Sequence, residues 1–413
     1  MPLGIATFIF TILFWPGLAA AATTPRWAFL SVVVFVILQF ARTSKITTSH
    51  VLLCLFMGYA LLSFLWTPII YDAMNIYWKF VMLAALFWLG AEIKDFRPVV
   101  IGAALGLWVN SGVVIAQVRG WSAWPQLMVP GGLFMNKDLN GEIAVMVLAA
   151  AIGYRIWWVI PGVLPSFILP YSRGSYVAGG VIALSWVGRR FPRLSTLLVA
   201  LGAAVVAGYF ILRHDSSVAQ RVHMWLDAYP GLKLWGNGIG SFYTLYPRFA
   251  TRLDTLVERP EHAHNDLVDL TFELGIGVLL AIAFFVSCYR HKLAAERSVL
   301  LAFFVIGCFS FPLYMPATAA FFALAAGRLA GAGPALRDDL ARWRSEVCAR
   351  LVGLQRLQIG LGRGRGSQPD ISARVPNTER PGLSLDRFPA AGRTRGACDR
   401  SGEGIAQDQP LRG

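Results

Sequence analysis

The sequence predicts an all-α, polytopic helical membrane protein with about 12 transmembrane helices and one long extracytoplasmic loop. Three observations predict it. Of 413 residues, 56% are hydrophobic and 15% charged, with a mean hydropathy of +0.56, a balance outside that of soluble globular domains. The apolar residues gather in blocks of roughly 15 to 22, which at about 1.5 Å per helical residue makes each a candidate crossing of the ~30 Å hydrocarbon core. One stretch, residues 214–266, interrupts the pattern with a dense mixture of charges and glycines.

Blocks and breaks place spans at 3–22, 27–41, 51–66, 76–91, 98–118, 140–154, 156–171, 174–188 and 195–213, then at 267–289, 297–313 and 315–331. Residues 1–213 thus hold the first nine helices and 267–331 the last three. The span at 156–171 carries Pro161, Pro165 and Pro170, which kink or break a helix unless neighbours re-satisfy its backbone, so a re-entrant segment is the alternative there. Ala19-Ala20-Ala21 would suit signal-peptide cleavage, but nothing basic precedes the first apolar block, so that block is read as retained. Five cysteines show no CxxC spacing, so no disulfide or metal cluster is expected, and the three within expected spans, Cys54, Cys288 and Cys308, are read as small apolar residues.

With both ends in the cytoplasm, the short inner connections carry Arg42, Lys45, Lys94, Arg97, Arg155, Arg189, Arg190, Arg193, Arg290, Lys292 and Arg297. The short outer ones hold Arg26, Arg119, Lys137 and Arg173. That bias follows the positive-inside rule and puts residues 214–266 outside the cytoplasm, away from ATP and nucleotide sugars. After the last span, Leu336, Leu340, Trp343, Val347, Leu351, Leu354 and Leu357 make an apolar stripe over 335–358, read as an amphipathic helix on the cytoplasmic membrane surface. Residues 360–413 are rich in Gly, Arg, Pro and Ser and too polar to bury a core, so they read as a disordered basic tail. Its charge belongs to a solvated segment, and no nucleic-acid partner is expected.

Within the long loop, Ser216 and Ser217 can start a short helix through Arg221 and Trp225. These two are four apart on one face, where a guanidinium can stack on an indole. Gly236-Asn237-Gly238-Ile239-Gly240 lacks the strand-then-helix setting of a dinucleotide fingerprint and reads as turn geometry. His262-Ala263-His264-Asn265-Asp266 follows, directly ahead of the apolar run from Leu267. Asn265 or Asp266 suits the N-cap of that helix, and His264 then sits at its mouth with an ordinary pKa suited to proton transfer. Asp269 and Glu273 lie one turn apart on the same helix, and carboxylates within a span are functional candidates by default. A metal site from His262 and His264 would need a third ligand that the spacing does not offer.

Two other connections add cations to the same face: Tyr171-Ser172-Arg173-Gly174-Ser175, and Gly132 through Asn140, with Asn136 and Lys137. Arg248, in the long loop, is a further cation there, and planar Arg suits a bidentate grip on phosphate. The chain has no Gly-Lys dipeptide, hence no P-loop, and no Asp-x-Asp pair. Energy for any reaction must come from the substrate.

Taken together, residues 131–278 resemble the O-antigen ligase and polymerase family of bacterial envelope glycosyltransferases. The resemblance rests on His264-Asn265 with Glu273-Leu274-Gly275-Ile276-Gly277, Arg221 with Trp225 and the run Gly236 to Phe242, Ser172-Arg173-Gly174, and Phe134 to Lys137. Val278 replaces the second spaced glycine of the ligase form, and Asp138 stands where many relatives have Asn. The resemblance implies metal-independent transfer of a glycan from a polyprenyl-pyrophosphate carrier to an acceptor hydroxyl, without a cofactor, at the extracytoplasmic face of a bacterial inner membrane. It assigns catalytic roles to His264, Arg221 and Arg173, and substrate-binding roles to Asn265, Glu273, Asn136, Lys137, Trp225 and Arg248, with Asn265 and Glu273 also expected to orient the histidine and cap or brace its helix. Expected partners are the polyprenyl-pyrophosphate-linked glycan donor, a lipid or glycan acceptor, and membrane lipids. A repeat-unit polymerase or a protein O-oligosaccharyltransferase would keep the mechanism and change the acceptor. A lipid-linked glycan transporter is the non-enzyme alternative, and the absence of two related halves speaks against it.

Overall fold

The computed structural model describes residues 2–18, 20–40, 45–124, 128–191, 193, 216–251 and 260–338. The chain divides into two compact units, Met1–Cys348 and Ala349–Gly413, and every described residue belongs to the first. The expected span at 195–213 and the tail at 360–413 lie outside the described residues, as does the 335–358 helix beyond its first turn.

All regular structure among the described residues is helical. In chain order the α-helices are α1 (Pro2–Ile12), α2 (Thr24–Phe40), α3 (Thr48–Leu62), α4 (Ile70–Glu92), α5 (Arg97–Val118), α6 (Lys137–Gly153), α7 (Ile160–Ile168) and α8 (Arg173–Arg190). They continue with α9 (Ser216–Ala228), α10 (Phe242–Leu245), α11 (Asp266–Leu274), α12 (Val278–Tyr289), α13 (Ala294–Gly307) and α14 (Pro316–Ala332). Among the described residues, four stretches are long and apolar enough to cross a membrane: Thr48–Leu65, Ile70–Glu92, Arg97–Val118 and Asp266–Tyr289. Shorter apolar helices occupy Pro2–Ile12, Thr24–Val36 and Trp157–Ile168.

Several apolar blocks therefore fold into less helix than their length suggests, and proline accounts for two of them. The helix begun at Pro2 ends at Ile12, four residues before Pro16, where the chain turns. In the block 156–171, a 3-10 turn over Trp157–Val159 leads into α7, with Pro165 inside it and Pro170 just beyond its end. Pro lacks the N–H that would continue the ladder. The indole N–H of Trp108 caps this junction by donating to the Val159 carbonyl at 2.8 Å.

Small residues let helix backbones meet. Gly327 and Gly331 of α14 lie against the backbone of Phe87 and Ala91 in α4, and Gly102 of α5 lies against Gly4 of α1. A Cβ at any of them would overlap main-chain atoms, the close approach that binds helices where hydrophobic drive is weak. Both α6 and α14 are buried nearly all round and form the centre of the bundle. Arg26, expected in an outer loop, is instead inside α2 and wholly buried. Its guanidinium donates to the carbonyls of Phe10, Thr11 and Ala22 and lies 4.3 Å from the centroid of the Phe134 ring.

The run from Leu267 to Tyr289, expected as one span, matches the crossing stretch Asp266–Tyr289, with a break in the α-helical ladder inside it. Gly275 adopts φ +52 and ends α11; a 3-10 turn, Gly275–Gly277, leads into α12. The glycine run of the long loop fills that break. Asn237 and Gly238 donate their backbone N–H groups to the carbonyls of Phe272 and Glu273 at 3.0 and 2.8 Å, and Ile276 N–H donates to the Leu234 carbonyl at 2.8 Å. The orphan groups of a helix end are thus satisfied by another segment.

Candidate functional site

The described part of the long loop is a small helical subdomain with its own core of Met224, Ala228, Phe242, Tyr246, Ala263 and Phe272. That core has a direct consequence for the histidine segment. Trp225 donates its indole N–H to the Ala263 carbonyl at 2.7 Å, and Ala263 N–H donates to Asp269 Oδ1 at 2.8 Å. The residue between the two histidines is therefore held from both sides.

Arg221 and Trp225 share a face of α9, yet among the described contacts they do not stack on each other. Arg221 Nη1 donates instead to the Phe309 carbonyl at 2.8 Å, because the connection after α13 passes over this end of the helix. Asn265 is the N-cap of α11, accepting from the N–H groups of Leu267 and Val268 at 3.0 and 3.2 Å, as its residue type favours. Its Nδ2 donates to the Cys308 carbonyl at 3.1 Å. Asp266 Oδ2 accepts from Leu313 N–H at 3.2 Å. Three loop or cap residues thus fasten the segment 308–314.

The two histidines occupy different environments. His262 Nδ1 is 3.2 Å from Oδ2 of the fully buried Asp269, and its ring stacks on Tyr314 with centroids 4.0 Å apart. His264 meets Phe311 edge-on at 5.0 Å and has φ +52, a left-handed backbone that few non-glycine residues adopt. Burial, with the Arg221 cation and His262 beside it, lowers the His264 imidazole to about 4. The ring is therefore neutral at physiological pH.

Glu142, which composition alone did not single out, belongs to this group. It is buried on α6, hydrogen-bonded by Ser310 and within the field of Arg221. Its signal was a lone carboxylate in an apolar run, the same rule that marked Asp269 and Glu273. Tyr314, Phe311 and Ser310 were also missed; they lie in a connection whose role depends on what packs against it.

Of the remaining expected site residues, Arg173 is exposed at the start of α8. The neighbouring Gly174 approaches Phe309, and Ser172 and Ser175 pack on Gly141 of α6, so Arg173 and Arg221 flank the same 308–314 connection. Asn136 is the N-cap of α6, accepting from Asp138 N–H at 2.8 Å, with Lys137 as the next residue. Glu273 faces elsewhere: Gly240 and Phe242 N–H groups donate to its carboxyl. It braces the glycine turn, and no described contact joins it to His264, contrary to the expectation that it orients that ring. Arg248 is exposed in the 3-10 turn Tyr246–Arg248, and no described contact joins it to the His264 group. Among the described residues, no cluster of three or more His, Cys, Asp or Glu is placed to hold a metal ion.

Comparison with known proteins leaves the family open. No family model matches the chain. Proteins with the name lysylphosphatidylglycerol biosynthesis bifunctional protein LysX, from Mycobacterium ulcerans and Mycobacterium marinum, are similar to it at 28% identity over 189 residues. That stretch is 44% of this chain, and the chain spans only 16% of the length of the curated relatives it matches. Neither match points to the O-antigen ligase family.

Proposed function

We propose that the protein is a membrane glycosyltransferase of O-antigen ligase type, moving a glycan from a polyprenyl-pyrophosphate carrier to an acceptor hydroxyl. The observation that carries this reading is the placement of a half-buried His264 and the Arg221 cation against one connection, residues 308–314, where His264 meets Phe311 and Arg221 holds the Phe309 carbonyl. In the reaction a bond forms between the acceptor oxygen and the anomeric carbon while the bond from that carbon to the phosphate oxygen breaks. Arg221, with Arg173 flanking the same connection, takes up the negative charge that develops on the departing pyrophosphate. His264 takes the acceptor proton.

Donor binding strengthens that base. A pyrophosphate against Arg221 cancels part of the field that now lowers His264, so the imidazole becomes more basic when the donor is in place. The reading includes a twelve-span topology in a bacterial inner membrane, with the site on the extracytoplasmic side. The same bundle and charge bias support both.

The decisive experiment is transfer by the purified, reconstituted protein from a polyprenyl-pyrophosphate glycan to a lipid acceptor, read as an acceptor mass shift. His264→Ala retaining full activity would sink the assignment of the base. The name of the similar mycobacterial proteins refers to lysylphosphatidylglycerol biosynthesis, which shares with this reading a lipid phosphate as reactant. The same assay separates the two, since aminoacyl transfer would leave the carrier-linked glycan intact. In cells, a clean deletion that accumulates carrier-linked polymer supports a ligase, whereas loss of polymer length supports a polymerase.

A further inference from the structure

At the other end of the bundle from the histidines lies a polar cavity of about 410 Å³. Three helices connect the two ends. α6 begins beside Glu142 and ends at Gly153 and Tyr154 on the cavity; α13 begins at the cavity and ends at Gly307 against Asp266; α14 starts by Tyr314 and brings Arg328 to the cavity near its far end. The fourteen residues of α13 span ~20 Å at about 1.5 Å per residue. In a bilayer the two sites therefore lie toward opposite faces.

Lys94, Arg97, Lys292 and Arg328 line this cavity together with Asp95 and Glu296. Both carboxylates are already engaged: Asp95 Oδ1 accepts from Arg97 N–H at 3.0 Å, and Glu296 accepts from the Tyr154 hydroxyl. Among the described residues none of the four cations is ion-paired. Arg328 Nη2 donates to the Lys94 carbonyl at 3.0 Å, while its Nε is buried without a partner. The N-terminus of α13 opens on the same space, and its N-cap, Leu293, has no side chain that can cap it. Four cations and a helix N-terminus without a side-chain cap meet two carboxylates here, which leaves the cavity lining net positive, the arrangement that receives an anion.

The geometry points to a binding site for a phosphate-bearing anion, held by Lys94, Arg97, Lys292 and Arg328 at the end of the bundle remote from the histidines. A phospholipid headgroup and a free phosphate share that chemistry. The inference does not depend on the proposed transfer activity, because binding is measured without turnover.

The test uses the full chain purified in neutral detergent, with native mass spectrometry to compare retention of phosphatidylglycerol and phosphatidylcholine. Phosphatidylglycerol is expected to bind more tightly, and Arg97→Gln and Lys292→Gln to weaken it about five-fold each. Both side chains are exposed, so the variants should fold. Arg155→Gln, an exposed cation at the same end but off the cavity, is the control and should bind as the parent does. Competition by millimolar inorganic phosphate would identify a soluble anion as sufficient, and resistance to it a lipid headgroup. Equal retention of the two lipids without any effect of inorganic phosphate, or an equal loss in Arg155→Gln, would overturn the site.

Discussion

His262 Nδ1 lies 3.2 Å from Asp269 Oδ2, and the other oxygen of that carboxylate accepts the N–H of Ala263 at 2.8 Å. One buried carboxylate thus sets both the ring of the first histidine and the backbone that leads to the second. Asp269→Ala removes both partners and leaves a buried amide unsatisfied, a loss of about 1–3 kcal/mol. Asp269→Asn keeps an acceptor for Ala263 but presents an amide to His262. The expected order of thermal midpoints is parent, then Asn, then Ala, with activity reduced in both variants. An Ala variant as stable as the parent would show that this carboxylate does not hold the segment.

Arg221 should not tolerate lysine. Its guanidinium can spend one nitrogen on the Phe309 carbonyl and still present others to an anion. A lysine ammonium is a point charge that cannot hold the same forked geometry. Arg221→Lys is expected to lower kcat/KM for the lipid-linked donor by roughly tenfold or more, and Arg221→Ala by more again. Parent-like kinetics in Arg221→Ala would remove the pyrophosphate role from this residue.

The pH dependence follows from His264, whose imidazole burial and Arg221 lower to about 4. In the free protein the ring stays neutral as pH falls below the ordinary histidine range and gains its proton only near 4. The acid limb of kcat/KM should therefore lie near 4, and that of kcat higher, because bound pyrophosphate offsets the Arg221 field. Arg221→Gln should move the kcat/KM limb upward. Stability carries the same sign: an unfolded histidine takes up its proton at higher pH, so this contribution is full above about 6.5 and is lost as pH falls toward 4. An acid limb at 6.5 in both the parent and Arg221→Gln would contradict the placement of these two groups.

Local rules read the cap of α11 and the glycine turn correctly. Asn265 caps that helix, as residue type and the following apolar run imply, whereas the same role of Asn136 on α6 was not drawn from the sequence. What those rules miss is the partner. Arg221 and Trp225 lie on one face, but their contacts, Phe309 and Ala263, come from segments 88 and 38 residues away. Glu273 looked like a histidine brace because its helix starts just after His264; its carboxyl instead accepts from Gly240 and Phe242. Glu142 was hidden for the same reason, since nothing near it in the chain shows that Ser310 and Arg221 will arrive beside it. Span lengths were legible in part: the blocks at 51–66, 76–91, 98–118 and 267–289 correspond to stretches long enough to cross, whereas those at 3–22 and 156–171 hold shorter helices. Hydropathy counts apolar residues, whereas helix length is set by where Pro and Gly interrupt the hydrogen-bond ladder.

The interlock between the glycine run and the broken helix makes the final prediction. Gly236 has φ +76 and Gly275 φ +52, and a Cβ on either would overlap backbone atoms of the opposite segment: Glu273 for Gly236, Leu234 and Gly236 for Gly275. Neither backbone can withdraw without breaking the bonds from Gly238 to Glu273 and from Ile276 to Leu234. Gly236→Ala and Gly275→Ala are each expected to cost more than the ~1 kcal/mol by which left-handed backbone disfavours a side chain, and to lower the thermal midpoint in detergent accordingly. Gly58 supplies the contrast, since it lies inside α3 with no neighbour within 4 Å of where an alanine methyl would sit. There alanine relieves the entropy of a helical glycine, and Gly58→Ala should hold or raise stability by up to about 1 kcal/mol. If all three variants shifted the midpoint alike, the two glycines would be ordinary helix and loop positions, and the long loop would not be anchored in the break that aims α11 at the site.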